Sequence, residues 1–250
     1  MQAVLEQPVI VNSNAQHFYG RGELPTAVVA DAEVVYPESD GQPMGETGFH
    51  VRAIMHLYNA LRQFFADRTD VYVAADMFLY YEEGKPSVKK APDVMVIKGV
   101  GNQERRVFET WTEQARPCVV FEITSESSMF EDLMSKSRTY VTLGVREYFL
   151  FDPLREYLKN RLLGFRLQED EYEAIVPDAE GRLFSEELGV WLSPANEILR
   201  VIDPQTGQVV PSLEEAMFQA AQEAQRAEQE AQRAERLAAQ LRALGVEPEA

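Results

Sequence analysis

Cysteine is almost missing from this 250-residue chain, where Cys118 stands alone. One thiol closes no internal disulfide and builds no cysteine-based zinc cage, so structural zinc is excluded and a reducing compartment is expected. Long apolar runs are lacking too. No stretch reaches the roughly 20 uninterrupted apolar residues that a membrane span needs, and the start, MQAVLEQPVIVN, shows no basic leader followed by an apolar run. The chain therefore reads as cytoplasmic, with no membrane partner. Positive charge is scarce: 24 Lys and Arg face 41 Asp and Glu, a net charge of −17. A molecule so charged repels phosphate backbones as a whole and gains no nonspecific steering toward them. Room remains for a local basic cleft, or for carboxylates neutralised by metal ions.

What is present is the composition of an ordinary folded protein, 45% hydrophobic and 26% charged. The chain divides in two, a domain over 1–210 and a helical tail over 211–250. From Leu213 the sequence becomes Ala, Gln, Glu and Arg in a near-repeat of seven, AQEAQRAEQEAQRAER, free of Gly and Pro until Gly245. Leu213, Met217, Ala220, Ala224, Ala227, Ala231, Ala234, Ala238 and Leu241 recur at alternating spacings of four and three, a coiled-coil-like seam built mainly from alanine. Alanine buries little area, so the seam is weak although it permits close helix approach. A homo-oligomer assembled through 213–244 and a solvated helix without partner both fit this pattern. The tail carries eight Glu and four Arg, which leaves −13 on residues 1–210.

Within 1–210 the hydrophobic pattern alternates between helix and strand. Phe49, Ile54, Leu57, Tyr58, Leu61, Phe64 and Phe65 recur at helical spacing and stop at the polar run 66–70. VYVAADMFLYY predicts one strand closed by a turn at Glu82-Glu83-Gly84-Lys85-Pro86; APDVMVIKG predicts a second and PCVVFEIT a third, central one. SSMFEDLMSKSRTYVTLGV reads as a helix with serine caps before Gly144, and EYFLFDP as another buried strand. Short runs from Tyr157 to Pro204 predict β hairpins. The fold class is thus α/β around a mixed sheet, with a hairpin extension and a long C-terminal helix.

Two carboxylates stand in apolar company. Asp93 opens PDVMVI and Glu122 lies inside VVFEIT. A lone carboxylate in such a strand is costly to desolvate and demands a cation, a proton or hydrogen-bond donors. If the strands are neighbours, the pair converges at the sheet's end, where two hard oxygen ligands suit Mg2+ or Mn2+ and a bound water aimed at phosphorus. A strand-entry turn at Pro92-Asp93 and a structural ion pair at Glu122 are the bland alternatives. Asp132, Lys136 and Tyr140 lie four apart on one helical face, so Lys136 could project back toward Glu122 and support a charged transition state. A surface pair of Asp132 with Lys136 is the competing account.

Pro92-Asp93, the run Glu122-Ile123-Thr124-Ser125-Glu126-Ser127-Ser128, then Asp132, Lys136 and Tyr140, and finally Gly144 through Pro153 (GVREYFLFDP) together resemble the Uma-two family of restriction-endonuclease-like proteins, in the PD-(D/E)XK nuclease superfamily. The resemblance covers roughly residues 20–210. It implies a restriction-endonuclease-like αβββαβ core and a divalent ion held by Asp93, Glu122 and the Ile123 carbonyl. It further implies an acidic residue from the first helix, for which Glu46 is the candidate, with His50 one turn on; plain helix-dipole complementarity is the alternative for Glu46. The superfamily places Lys two residues after the Glu. Thr124 stands there in this chain, so Lys136 is the expected cation. The implied activity is Mg2+-dependent hydrolysis of DNA, with Lys89-Lys90, Arg105-Arg106 and Arg155 to Arg161 as local basic clusters. The alternative is a catalytically weak or inactive nuclease-fold protein that oligomerises through its tail.

Overall fold

A computed structural model describes residues 34–39, 47–124 and 135–243. In chain order the elements are α1 (Gly48–Phe64), β1 (Val71–Ala75), β2 (Leu79–Tyr80), β3 (Lys89–Lys90), β4 (Val94–Lys98), β5 (Phe108–Glu109), α2 (Thr110–Glu113), β6 (Pro117–Ile123), α3 (Ser137–Leu143), β7 (Glu147–Phe151), β8 (Leu162–Gln168), β9 (Glu171–Ala174), β10 (Leu183–Ser185), β11 (Val190–Ala195), β12 (Ile198–Ile202) and α4 (Leu213–Ala243).

Six strands form a mixed sheet in the order β1-β4-β6-β7-β8-β9. β6 and β7 are parallel, Val119 opposite Glu147 and Ile123 opposite Phe151, while the other neighbours run antiparallel. A parallel pair needs a crossover, and α3 lies on that connection. Strand alternation splits the apolar residues between two faces. Val94, Val96, Val119, Phe121 and Phe149 face a core shared with α1 and the separate β10-β11-β12 sheet. Met95, Ile97, Val120, Tyr148 and Leu150 face a second core with Leu79, Phe108, Tyr140 and Leu143. Burial on both faces explains why β4, β6 and β7 read as continuous apolar runs.

The stretch 71–81, expected as one strand, breaks in two. β1 pairs with β4, whereas β2 leaves for a small sheet ordered β3-β2-β5. Asp76, at φ 46, is the corner between them. A left-handed backbone is tolerated by Asp better than by branched residues, and it turns the chain out of the large sheet.

Helix ends follow their capping chemistry. The Thr47 hydroxyl accepts the His50 N–H at 3.3 Å and starts α1, whose Ala53, Leu57, Ala60 and Leu61 are buried. Gly144, at φ +72, closes α3. Ser212 and Glu215 bond each other's N–H groups at the head of α4, a reciprocal cap. Glu215 also meets Arg200 on β12 at 2.7 Å, which ties the first turn of α4 to the globular part. Beyond that turn α4 is mostly exposed, with Met217 and Phe218 each 65% accessible. No helix among the described residues is long and apolar enough to cross a membrane.

Candidate active site at the carboxyl end of β6

Extending the β4–β6 register of Val94 opposite Phe121 by one residue sets Asp93 across from Glu122. Regular pairing ends here and side chains take over. The Asp93 Oδ2 accepts the Ile123 N–H at 2.5 Å, filling the place of the next backbone acceptor. Its Oδ1 lies 3.4 Å from His50 Nε2, on α1, and its carbonyl accepts the Asp76 N–H at 3.2 Å. The Asp93 side chain keeps 19% of its surface open; that of His50 keeps 6%.

Glu122 is fully buried. Alternation turns its side chain to the α3 side of the sheet, away from the α1 side where Phe121 and Ile123 point. There its Oε1 accepts the Tyr140 hydroxyl at 2.6 Å and its Oε2 meets Lys136 Nζ at 2.9 Å. Lys136 sits in the turn that opens α3, one helical turn before Tyr140, so both reach the same carboxylate. Charge-assisted bonds of this length offset the desolvation that would otherwise expel a carboxylate from the sheet. Thr124, where the superfamily pattern has lysine, is 3% exposed, and its hydroxyl has no hydrogen-bond partner among the described residues.

The chemistry of these donors suits a hard divalent cation. In a strand the N–H and C=O of one residue point to the same side, so the Ile123 carbonyl opens toward the Asp93 carboxylate that its own N–H grips. Two carboxylates and a carbonyl match the oxygen set that Mg2+ takes while keeping several waters. No group of three or more His, Cys, Asp or Glu gathers to hold a metal among the described residues; a site of two carboxylates and a backbone carbonyl lies below that number. Glu46 and Asp132, both sequence candidates, fall outside the described residues.

Two further buried carboxylates are occupied by structural work. Glu147, at the start of β7, receives Arg166 at 2.9 Å, the Ser185 hydroxyl and the Glu186 N–H, which binds the hairpin sheet to the large one. Asp152, after β7, accepts the N–H groups of Leu154, Tyr157 and Leu158. Cys118 carries no reactive thiolate: burial pushes its thiol up to about 11, and Sγ donates to the Val96 carbonyl.

A helix, three strands of one mixed sheet, a crossover helix and a parallel strand, with a carboxylate pair at the strand ends, define a restriction-endonuclease-like α/β core. The sequence pattern of the Uma2 family, described as "Putative restriction endonuclease", matches residues 29–196. The chain belongs to the Uma2 family. Among solved structures it is similar to one titled a putative nuclease belonging to DUF820 from Anabaena variabilis, at 15% identity and a TM-score of 0.43, over 60% of this chain and 81% of that one. No curated protein matches the chain.

Proposed function

We propose that the protein is a Mg2+- or Mn2+-dependent endonuclease that hydrolyses DNA phosphodiester bonds, with residues 1–210 as the nuclease domain and the cytoplasm as its compartment. The observation that carries this reading is Glu122: a fully buried carboxylate, bonded at once to Lys136 and Tyr140, one residue from the N–H that holds Asp93. Family membership supports nuclease chemistry. The ion would be held by Asp93, Glu122 and the Ile123 carbonyl, with Glu46 as a further candidate. When bound, it supplies Lewis acidity to water and to the phosphodiester. Asp93 and Glu122 fix the position of the reacting groups against the sheet end, and His50 and Tyr140 hold those carboxylates in place. Lys136, 15% exposed beside Glu122, places a positive charge where negative charge develops on phosphorus oxygens.

The test is plasmid cleavage with Mg2+ or Mn2+, with and without EDTA. Wild type cuts; Asp93→Ala and Glu122→Ala lose at least about 100-fold, and Lys136→Ala loses a comparable factor, the usual cost of removing one electrostatic stabiliser. Cleavage that survives both carboxylate substitutions overturns the assignment.

A second reading, a nuclease-fold protein that assembles through its tail, draws on the exposed face of α4. Met217, Phe218, Leu237 and Leu241 stay open there.

A further inference from the structure

We infer that the β7–β8 loop, residues 152–161, is a phosphate-gripping loop for the backbone of a DNA duplex, with Arg155 and Lys159 as its contact groups; this rests on the nuclease reading above and adds the surface that receives the substrate. The loop stands at the same end of the sheet as the candidate site. Phe151 ends β7 opposite Ile123, its carbonyl accepts the Thr124 N–H at 2.8 Å, and the loop starts at the next residue. On the far side the Asp152 N–H donates to the Arg161 carbonyl at 2.8 Å, so both loop ends are pinned in the sheet. Two strand spacings put the β8 end of the loop about 10 Å from β6. That is about three base-pair steps measured along the axis of a duplex.

Many cations of the globular surface are spent on carboxylates. Arg62, Lys98, Arg105, Arg166, Arg182 and Arg200 each face a carboxylate within 4 Å. Arg155 and Lys159 are exposed and form no ion pair among the described residues. Arg161, where the loop meets β8, is tied to the Pro153 carbonyl through one nitrogen, while its Nε is buried without a hydrogen-bond partner among the described residues. Arg155 and Arg161 line a cavity of about 320 Å³ together with Asn160 and Gly181. Opposing charge is modest: Glu156 is exposed on the loop and Glu180 lies across the cavity, but Glu180 is engaged by Arg182 at 3.0 Å.

The loop is also stiff, which a grip requires if ordering is not to consume its binding energy. The fully buried Asp152 carboxylate accepts three loop N–H groups, from Leu154 at 3.2 Å, Tyr157 at 2.7 Å and Leu158 at 2.9 Å, while Leu158 anchors in the α3-side core. Arg155 is held at φ 59, a conformation an arginine adopts only when its surroundings dictate it. In a protein of net charge −17, unpaired cations at the same sheet end as the carboxylate pair resolve how a polyanion approaches: attraction is local even though the molecule as a whole repels it.

The experiment is fluorescence anisotropy of a labelled DNA duplex with the full chain across a salt series, in Ca2+ so that binding is read without turnover, with duplex integrity checked on a gel. Arg155→Gly/Lys159→Gln removes both charges and relieves the left-handed backbone; Arg155→Lys/Lys159→Arg keeps them. Arg226→Gln/Arg233→Gln, on exposed α4, removes the same charge elsewhere. The neutral loop variant is expected to bind about 60-fold more weakly at 0.1 M salt, with the slope of log K against log salt reduced by about 1.8, the effect of two phosphate contacts. The charge-keeping and α4 variants keep the wild-type slope. Equal losses in the loop and α4 variants, or wild-type affinity in the neutral loop variant, overturn the loop and leave the nuclease reading standing. A wild type that binds no duplex overturns both.

Discussion

Replacing Lys136 by Met separates a structural Glu122 from one built to meet a cation. The Lys136 ammonium is 2.9 Å from a carboxylate with no exposed surface, and its own side chain is 15% exposed. Breaking such a pair leaves a buried charge less compensated and costs about 3–5 kcal/mol. Because Tyr140 still donates to Oε1, the lower end, about 3 kcal/mol, is the expected loss. For a chain of this size 1 kcal/mol moves the melting temperature by about 2–4 °C, so Lys136→Met should melt about 6–12 °C below wild type in EDTA. On the proposed ligand set, a divalent ion held by Asp93 and Glu122 would replace the lost positive charge. At a concentration of 100 Kd it adds about 2.7 kcal/mol, so Mn2+ should restore most of the deficit. Differential scanning calorimetry of wild type, Lys136→Met, Glu122→Gln and Asp93→Asn with and without Mn2+ reads this directly. A Lys136→Met melting point within a degree of wild type refutes the burial argument; an undiminished Mn2+ shift in Glu122→Gln and Asp93→Asn refutes the ligand assignment.

Two other outcomes are expected. His56 is held below its ordinary value by burial first and by Arg200 second, with Glu215 opposing, and its Nε2 lacks a hydrogen-bond partner among the described residues. A folded state that prefers neutral His56 has its full contribution above the unfolded value of about 6.5 and loses it as pH falls through that value. Urea midpoints at pH 7.5 and 5.5 should therefore diverge more for wild type than for His56→Leu, and equal differences in the two proteins would contradict the desolvation of that ring. In α4, ending the chain after Gln219 keeps the Arg200–Glu215 pair and the Ser212 cap while removing the alanine seam. The shortened protein should retain its melting point and fall in mass by light scattering to less than the lost residues alone account for, whereas a monomer at both lengths would exclude self-association through the seam.

The helical period of α1 and the near-continuous apolar runs of β4, β6 and β7 were legible because they depend on local spacing and on burial of both sheet faces. The break at Asp76 was not, since a run of branched and aromatic residues is equally apolar in one strand or in two that join different sheets. Asp93 and Glu122 stood out for a local reason: a charge inside an apolar strand has no inexpensive explanation. His50 entered only as the residue one turn after Glu46, and its place at Asp93 comes from the packing of α1 against the sheet.

From sequence alone come the main helices and the apolar strand runs, the helical tail and the identity of the two carboxylates, because each is written in neighbours a few positions apart. The folded chain decides what lies across from what: Asp93 beside the Ile123 N–H, Lys136 and Tyr140 on one buried carboxylate, and the Arg155 loop at the same sheet end. Those meetings join residues 14 to 30 positions apart, set by strand register and helix crossover, which local spacing does not encode.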